Sequence, residues 1–234
     1  MVADDTASRA VWLGEQGILA ARIAPGSLAM ECSTLSHDWV IDLAARAIAL
    51  DLRYIDAPVT GLPADAARGA LTLLVGAGEQ DLQRAESLLR TFANRVLRFG
   101  PVGAGTAYKL IINMIGAAQI ASAAEGMALA QRAGLDLAQV ADAIATSQAA
   151  SPQVVRNTRR MADGDHDQNV VFTSQLRRKD VEYALRMAQQ LHMRAPFGEL
   201  ARSGLQELCE RGRSQANESS IIEVAAAREA GGNA

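Results

Sequence analysis

Lys109 and Asn113 are the residues whose types and spacing could do chemistry. They lie in Gly103-Ala104-Gly105-Thr106-Ala107-Tyr108-Lys109-Leu110-Ile111-Ile112-Asn113, a Gly-rich turn feeding a long helical pattern. A spacing of four puts both side chains on one helix face, one above the other. The rest of that face is small or apolar: Gly116, Ala117, Ile120, Ala121 and Ala124. A cation and an amide are costly to bury there without a purpose. Spacing leaves two readings open. In one, Lys109 snorkels to the surface and Asn113 bonds a neighbouring loop. In the other, the pair is a proton donor beside an amide that orients a carboxylate.

The elements that position this pair fall into two regions. Residues 1–101 alternate between helix and strand signals. Asp4 and Asp5 cap a short helix to about Leu13. Residues 28–32 read as a buried strand ending at Ser33-Thr34. Residues 37–50 read as a helix with Trp39, Ile41, Leu43, Ala44, Ala47 and Ile48 inward. Further strands are predicted at 53–57, 71–75 and 95–99, with a helix at 81–93. Such alternation means βα units and a largely parallel sheet. After Pro101 the pattern is helical throughout. One Ala-rich helix runs over 106–133, ended by Gly134. Asp136 caps the next, Ser151-Pro152 opens another, Thr173 or Ser174 a fourth, and Pro196 a fifth. Ser219-Ser220 caps a last helix, and 230–234 are expected to be disordered. The fold class is therefore α/β plus all-α: an incomplete Rossmann-type parallel sheet, then a helical C-terminal domain built on one long helix. The domains are 1–101 and 102–230.

The run Gly-Ala-Gly-x-x-x-Lys-x-x-x-Asn resembles the catalytic helix of the β-hydroxyacid dehydrogenases. These include the 3-hydroxyisobutyrate, tartronate semialdehyde and 6-phosphogluconate dehydrogenases. Asp56-Ala57-Pro58-Val59-Thr60-Gly61 is similar to that family's substrate-binding segment. Phe172, Leu176 and Lys179-Asp180 are similar to its late Lys-Asp motif. The resemblance covers about residues 1–225.

It implies reversible hydride transfer between a small 3-hydroxy acid and NAD or NADP. Lys109 is then the general acid/base, provided burial or a nearby cation lowers its pKa. Asn113 holds the substrate hydroxyl or carboxylate. Thr60 and Gly61, just past a strand's carboxyl end, bind the carboxylate. Ser33 and Thr34 meet the nicotinamide ribose or amide, and they also suit the N-cap of the helix that follows. Lys179 approaches the nicotinamide side, or else is a solvated member of the basic run 177–179. Asp180 pairs with a neighbouring arginine, and Phe172 closes the pocket or packs the core. A homodimer through the helical domain is also implied. The sequence departs from the family at Thr60, where serine is usual, and at Leu62-Pro63, where a second glycine is usual. Leucine adds bulk there and proline removes an N–H. Two other readings are an imine reductase-like enzyme, against which Lys109 argues, and a non-catalytic oligomerising remnant.

A Rossmann domain opens with a strand, Gly-x-Gly-x-x-Gly and a helix whose N-terminus holds the pyrophosphate. No such motif is present, and Gly76-Ala77-Gly78 lacks the third glycine. The resemblance places about sixty residues ahead of Met1. A start codon assigned to an internal methionine is the favoured explanation, before gene decay or a function without cofactor. A sheet without its first strands should expose an apolar edge. This chain should then bind NAD weakly or not at all. Net charge of −3 gives no basic patch for nucleic acid. Cys32 and Cys209 read as free thiols of a reducing compartment, and three dispersed histidines predict no metal. No apolar run of transmembrane length and no signal peptide is expected, so the location is read as cytoplasmic.

Overall fold

The computed structural model describes residues 1–227. The predicted disorder of 230–234 lies outside the described residues. The chain forms two compact units. One comprises Met1–Ile112 with Arg186–Met193, and the other Asn113–Leu185 with the residues from Arg194 on.

The first unit contains α1 (Asp5–Leu13), β1 (Leu28–Glu31), α2 (His37–Ile48), β2 (Arg53–Asp56), β3 (Val59–Thr60), α3 (Pro63–Ala67), β4 (Leu71–Gly76), α4 (Glu79–Leu89) and β5 (Ala93–Gly100). Strands β1 and β2 are parallel, Leu28↔Arg53 through Glu31↔Asp56, and β4 and β5 are also parallel. Strand β4 runs antiparallel to β2 at Asp56↔Gly76 and to β3 at Val59↔Leu73 and Thr60↔Thr72. The sheet is thus mixed where sequence alternation predicts a largely parallel one. Between β2 and β4 the chain holds only β3 and the five-residue α3. That is short of a full crossover, so β4 returns antiparallel.

Local chemistry explains the helix starts. Asp4 Oδ1 accepts the Ala7 N–H at 2.8 Å and opens α1. Ser36 Oγ, not Ser33 or Thr34, accepts the Trp39 N–H and caps α2. Ser36 is itself held by Asp5, whose two oxygens take its N–H at 2.9 Å and its hydroxyl at 2.6 Å. Helix α2 buries Trp39, Val40, Leu43, Ala44 and Ala47. Ile41 and Ile48, predicted inward, are 41% and 57% exposed. Both lie about half a turn from the Trp39 face at 100° per residue. A second apolar cluster joins Ile55, Leu73, Val75, Ala85 and Leu89 between sheet and α4.

The long helix α5 (Ala104–Arg132) starts in the first unit and runs into the second. It has the length and hydropathy to cross a membrane, which corrects the sequence expectation. Its Ala117, Ile120, Ala124, Met127 and Ala128 instead enter a core with Ala141, Met161, Val181, Leu205 and Ile221. Each large side chain there contributes roughly 1.5–3 kcal/mol by leaving water. The other helices of the second unit are α6 (Leu137–Ala145), α7 (Pro152–Asp163), most of α8 (Ser174–Gln190), α9 (Pro196–Leu208) and α10 (Ile222–Ala227). Asp136 and Ser151 cap α6 and α7 as their sequences predict. Ser219 and Ser220 do not cap a helix. They sit buried within a 3-10 turn, Glu218–Ile221, ahead of α10.

Candidate active site

In the first unit, Lys109 stands on the second turn of α5 and is half-buried. The start of this helix offers only Gly103, Ala104 and Gly105, none able to cap through a side chain. Asp56 supplies the cap from the end of β2. Its Oδ1 accepts the Gly103 N–H at 2.6 Å and its Oδ2 the Thr106 N–H at 2.7 Å. The carboxylate is fully buried, at the positive end of the helix dipole. Burial pushes its pKa up, and the amide hydrogen bonds pull it back. Gly105 lets the helix start press onto β4, because a Cβ there would stand 2.1 Å from the Leu74 carbonyl oxygen. The His37 ring packs against the same turn, 3.0 Å from the position of a Gly103 Cβ. Burial lowers its pKa, against a smaller opposing pull from Asp56.

Three and four residues beyond Asp56, β3 carries the substrate-loop motif onto β4 at Val59 and Thr60. Gly61 follows at φ +137°, a conformation that favours glycine. Asp65 Oδ2 accepts the Leu62 N–H at 2.8 Å, and Pro63 begins α3. The Leu62 N–H is therefore engaged within the loop.

Ser33 lies just past β1, whose carboxyl end is in register with that of β2. Its N–H donates to Glu31 Oε1 at 2.9 Å, and its hydroxyl accepts the Val2 N–H at 2.8 Å. Glu31 is buried and also accepts Trp12 Nε1 at 2.8 Å and the Ser8 hydroxyl at 3.0 Å. Thr34 follows it in the loop ahead of α2. Cys32, between Glu31 and Ser33, is held as a neutral thiol, its pKa pushed up to about 11 by burial.

In the second unit, the structure joins Asn113 to the late Lys-Asp motif. Asn113 Nδ2 donates to Asp180 Oδ2 at 2.6 Å, and Lys179 Nζ lies 3.1 Å from Asp180 Oδ1. Asp180 thus pairs with an amide and a lysine rather than with the predicted arginine. A carboxylate only accepts, so the Asn113 amide must turn its NH2 to Asp180. That leaves Oδ1 as the acceptor for a hydroxyl. Lys179 also lies 5.2 Å from the Tyr183 ring centroid. The basic run separates by helical rotation. Arg177 is buried and donates to Glu218 Oε2 at 2.5 Å and to the Asn113 carbonyl at 3.0 Å. Arg178 bonds Glu182 and Gln206 on a wetter side. Phe172 packs its ring 4.6 Å from the Arg177 guanidinium.

The full chain holds 23 cationic side chains, of which only Lys109 and Lys179 are lysines. Arginine cannot release a proton near neutral pH, whereas an ammonium can. That contrast, legible in the sequence, marks both positions. Sequence reasoning missed the roles of Asp56 and Glu31. Their signal is an acid at the inner end of an apolar strand. The residues present fit a nicotinamide dinucleotide on one structural count: the Ser33 hydroxyl, among the described residues, accepts a bond without donating one. It can donate to a ribose or carboxamide oxygen.

Residues 103–225 match the family model for the NAD-binding domain of NADP-dependent 3-hydroxyisobutyrate dehydrogenase. Residues 1–100 match that for the NAD-binding domain of 6-phosphogluconate dehydrogenase. The chain is 32% identical over 214 residues to the NAD-dependent L-serine dehydrogenase of Pseudomonas aeruginosa, covering 88% of this chain and 70% of that one. Its fold is similar to the crystal structure of 3-hydroxyisobutyrate dehydrogenase from Salmonella typhimurium, with TM-score 0.86 and 28% identity over 95% of this chain and 77% of that one. It is similar also to Mycobacterium tuberculosis 3-hydroxyisobutyrate dehydrogenase with L-serine, with TM-score 0.84 and 26% identity over 96% and 77%.

Proposed function

The chain belongs to the β-hydroxyacid dehydrogenase family and is an NAD(P)-dependent oxidoreductase of a small hydroxy acid, and from that premise we propose how its residues divide the work. Lys109 takes the hydroxyl proton in oxidation and returns it in reduction. Its ammonium, on a helix start locked to the sheet, can exchange a proton where a guanidinium cannot. Asn113 accepts the substrate hydroxyl at Oδ1, with its amide held in that orientation by Asp180. The Thr60 hydroxyl and Gly61 N–H hold the carboxylate. NAD(P), when bound, supplies the hydride acceptor. Ser33, Thr34 and Lys179 are the residues assigned to its nicotinamide end, and Asp180 orients Lys179 at 3.1 Å.

The observation that carries this reading is the restriction of lysine to Lys109 and Lys179 in a chain that otherwise uses arginine. The test is NAD(P)H fluorescence titration of the full chain, followed by hydroxy-acid-dependent NAD(P)+ reduction with L-serine and 3-hydroxyisobutyrate. Turnover that disappears in Lys109→Arg supports the assignment. A chain that binds nucleotide but turns over no hydroxy acid, or a Lys109→Arg variant that keeps wild-type turnover, overturns the assignment.

Residues 1–101 are read as the later part of the dinucleotide-binding domain and 102–230 as a substrate and dimerisation domain. The exposed apolar side chains Ile115 and Leu129 on α5 and Phe197 and Leu200 on α9 support a homodimer. Sedimentation velocity of wild type and Phe197→Asp decides it, with dissociation of the variant expected. Free Cys32 and Cys209 support a cytoplasmic location.

A further inference from the structure

We propose that Asp56 is a positioning residue for Lys109, an inference that rests on Lys109 being the general acid/base. The first turn of a helix carries N–H groups with no partner inside the helix. The third residue's N–H is ordinarily taken by a side chain at the N-cap. In α5 that third residue is Thr106, and the N-cap position is Gly103, which has no side chain. Asp56 does the work from 50 residues away and takes the Gly103 N–H as well.

The anchor is itself immobile. Asp56 is the last residue of β2, in register with Glu31 on one side and Gly76 on the other. Its carboxylate is closed off from water. Gly105 lies against the Leu74 carbonyl with no room for a methyl group. The helix start can therefore neither slide along the sheet nor lift from it without breaking hydrogen bonds to a buried carboxylate. Lys109 is one turn beyond Thr106 and follows it rigidly.

The same anchor serves the substrate loop. Thr60 is four residues past Asp56 and is pinned to Thr72 of β4. Asp56 thereby ties the residue proposed to move the proton and the residues proposed to hold the carboxylate to one point. Proton transfer requires hydrogen-bond reach, and a displacement of about 1 Å can cost on the order of 100-fold in rate.

The test uses Asp56→Asn, which keeps the size of the side chain but presents an NH2 group to one of the two amides. Because the chain has only two lysines, acetylation by a small amine reagent followed by mass spectrometry reads Lys109 against Lys179 as internal reference. In the folded variant the Lys109 to Lys179 labelling ratio should change at least threefold. With substrate, kcat should fall at least tenfold, by more than any accompanying rise in the hydroxy-acid KM. A folded Asp56→Asn with the wild-type ratio and kcat overturns the proposal. If the variant does not fold, hydrogen exchange of the wild type decides. Slow exchange at both Gly103 and Thr106 is expected, and exchange at the rate of free first-turn amides overturns it. If the wild type turns over no hydroxy acid, the acid/base assignment fails, while the labelling ratio and exchange still report whether Asp56 sets Lys109.

Discussion

The Asp56 carboxylate accepts the Thr106 backbone N–H at 2.7 Å, joining the end of a strand to the first turn of the helix that carries Lys109. Two of the three motifs shared with the family, the Asp-Ala-Pro-Val-Thr-Gly run and the Gly-Ala-Gly helix start, are thereby one structural joint. Glycine is required in that joint for closeness, since a Cβ at Gly105 would stand 2.1 Å from the Leu74 carbonyl oxygen. Gly105→Ala should lower stability by about 3 kcal/mol, the upper end of overpacking costs. A denaturant midpoint no lower than that of wild type would refute this contact.

Lys109→Arg keeps the positive charge but removes a group able to give up its proton at neutral pH. Its turnover should fall at least about 100-fold, as far as that of Lys109→Met, by the usual size of general acid–base contributions. Circular dichroism should show the fold of both variants unchanged. Substantial turnover by the arginine variant would show that Lys109 acts through charge alone.

Glu218 is buried and accepts from Arg177 at 2.5 Å and from Arg156 at 3.1 Å. Breaking a buried pair by removing one partner leaves a charge without its principal counterion. Arg177→Met should therefore cost about 3 kcal/mol, toward the low end of such losses because Arg156 remains. Thermal unfolding measures it. The double change Arg177→Met with Glu218→Gln should recover part of the loss, and an additive further loss would contradict the pairing.

His37 and His166 both have pKa values lowered by burial from the ordinary 6.5. The unfolded chain takes up these protons at higher pH than the folded chain does. Their contribution to stability is therefore fully present above pH 6.5 and is lost as the pH falls below it. Urea midpoints at pH 7.5 and 5.5 should show the lower stability at 5.5. His37→Gln should reduce the difference.

Much of this protein is legible in its residues. Asp4, Asp136 and Ser151 predict their helix starts because a cap is a local hydrogen bond, closed within three residues of sequence. The Lys109–Asn113 pair and its small-residue face follow from the helical repeat alone. The rest depends on contacts that close over long loops. Ser36 displaces Ser33 and Thr34 as the cap of α2 because Asp5, 31 residues earlier, holds it. The sheet turns antiparallel at β4 because the segment after Pro58 is too short to cross over. Asn113 and Asp180, 67 residues apart, meet only once α5 and α8 have packed. Asp56 becomes the cap of α5 only when β2 brings its carboxylate beneath the helix. Local propensity and periodicity act over a few residues, so the sequence by itself determined the elements and the residues able to do chemistry. Which buried polar group satisfies which is settled by the folded chain as a whole, because each must find a partner out of water and that partner is remote in sequence.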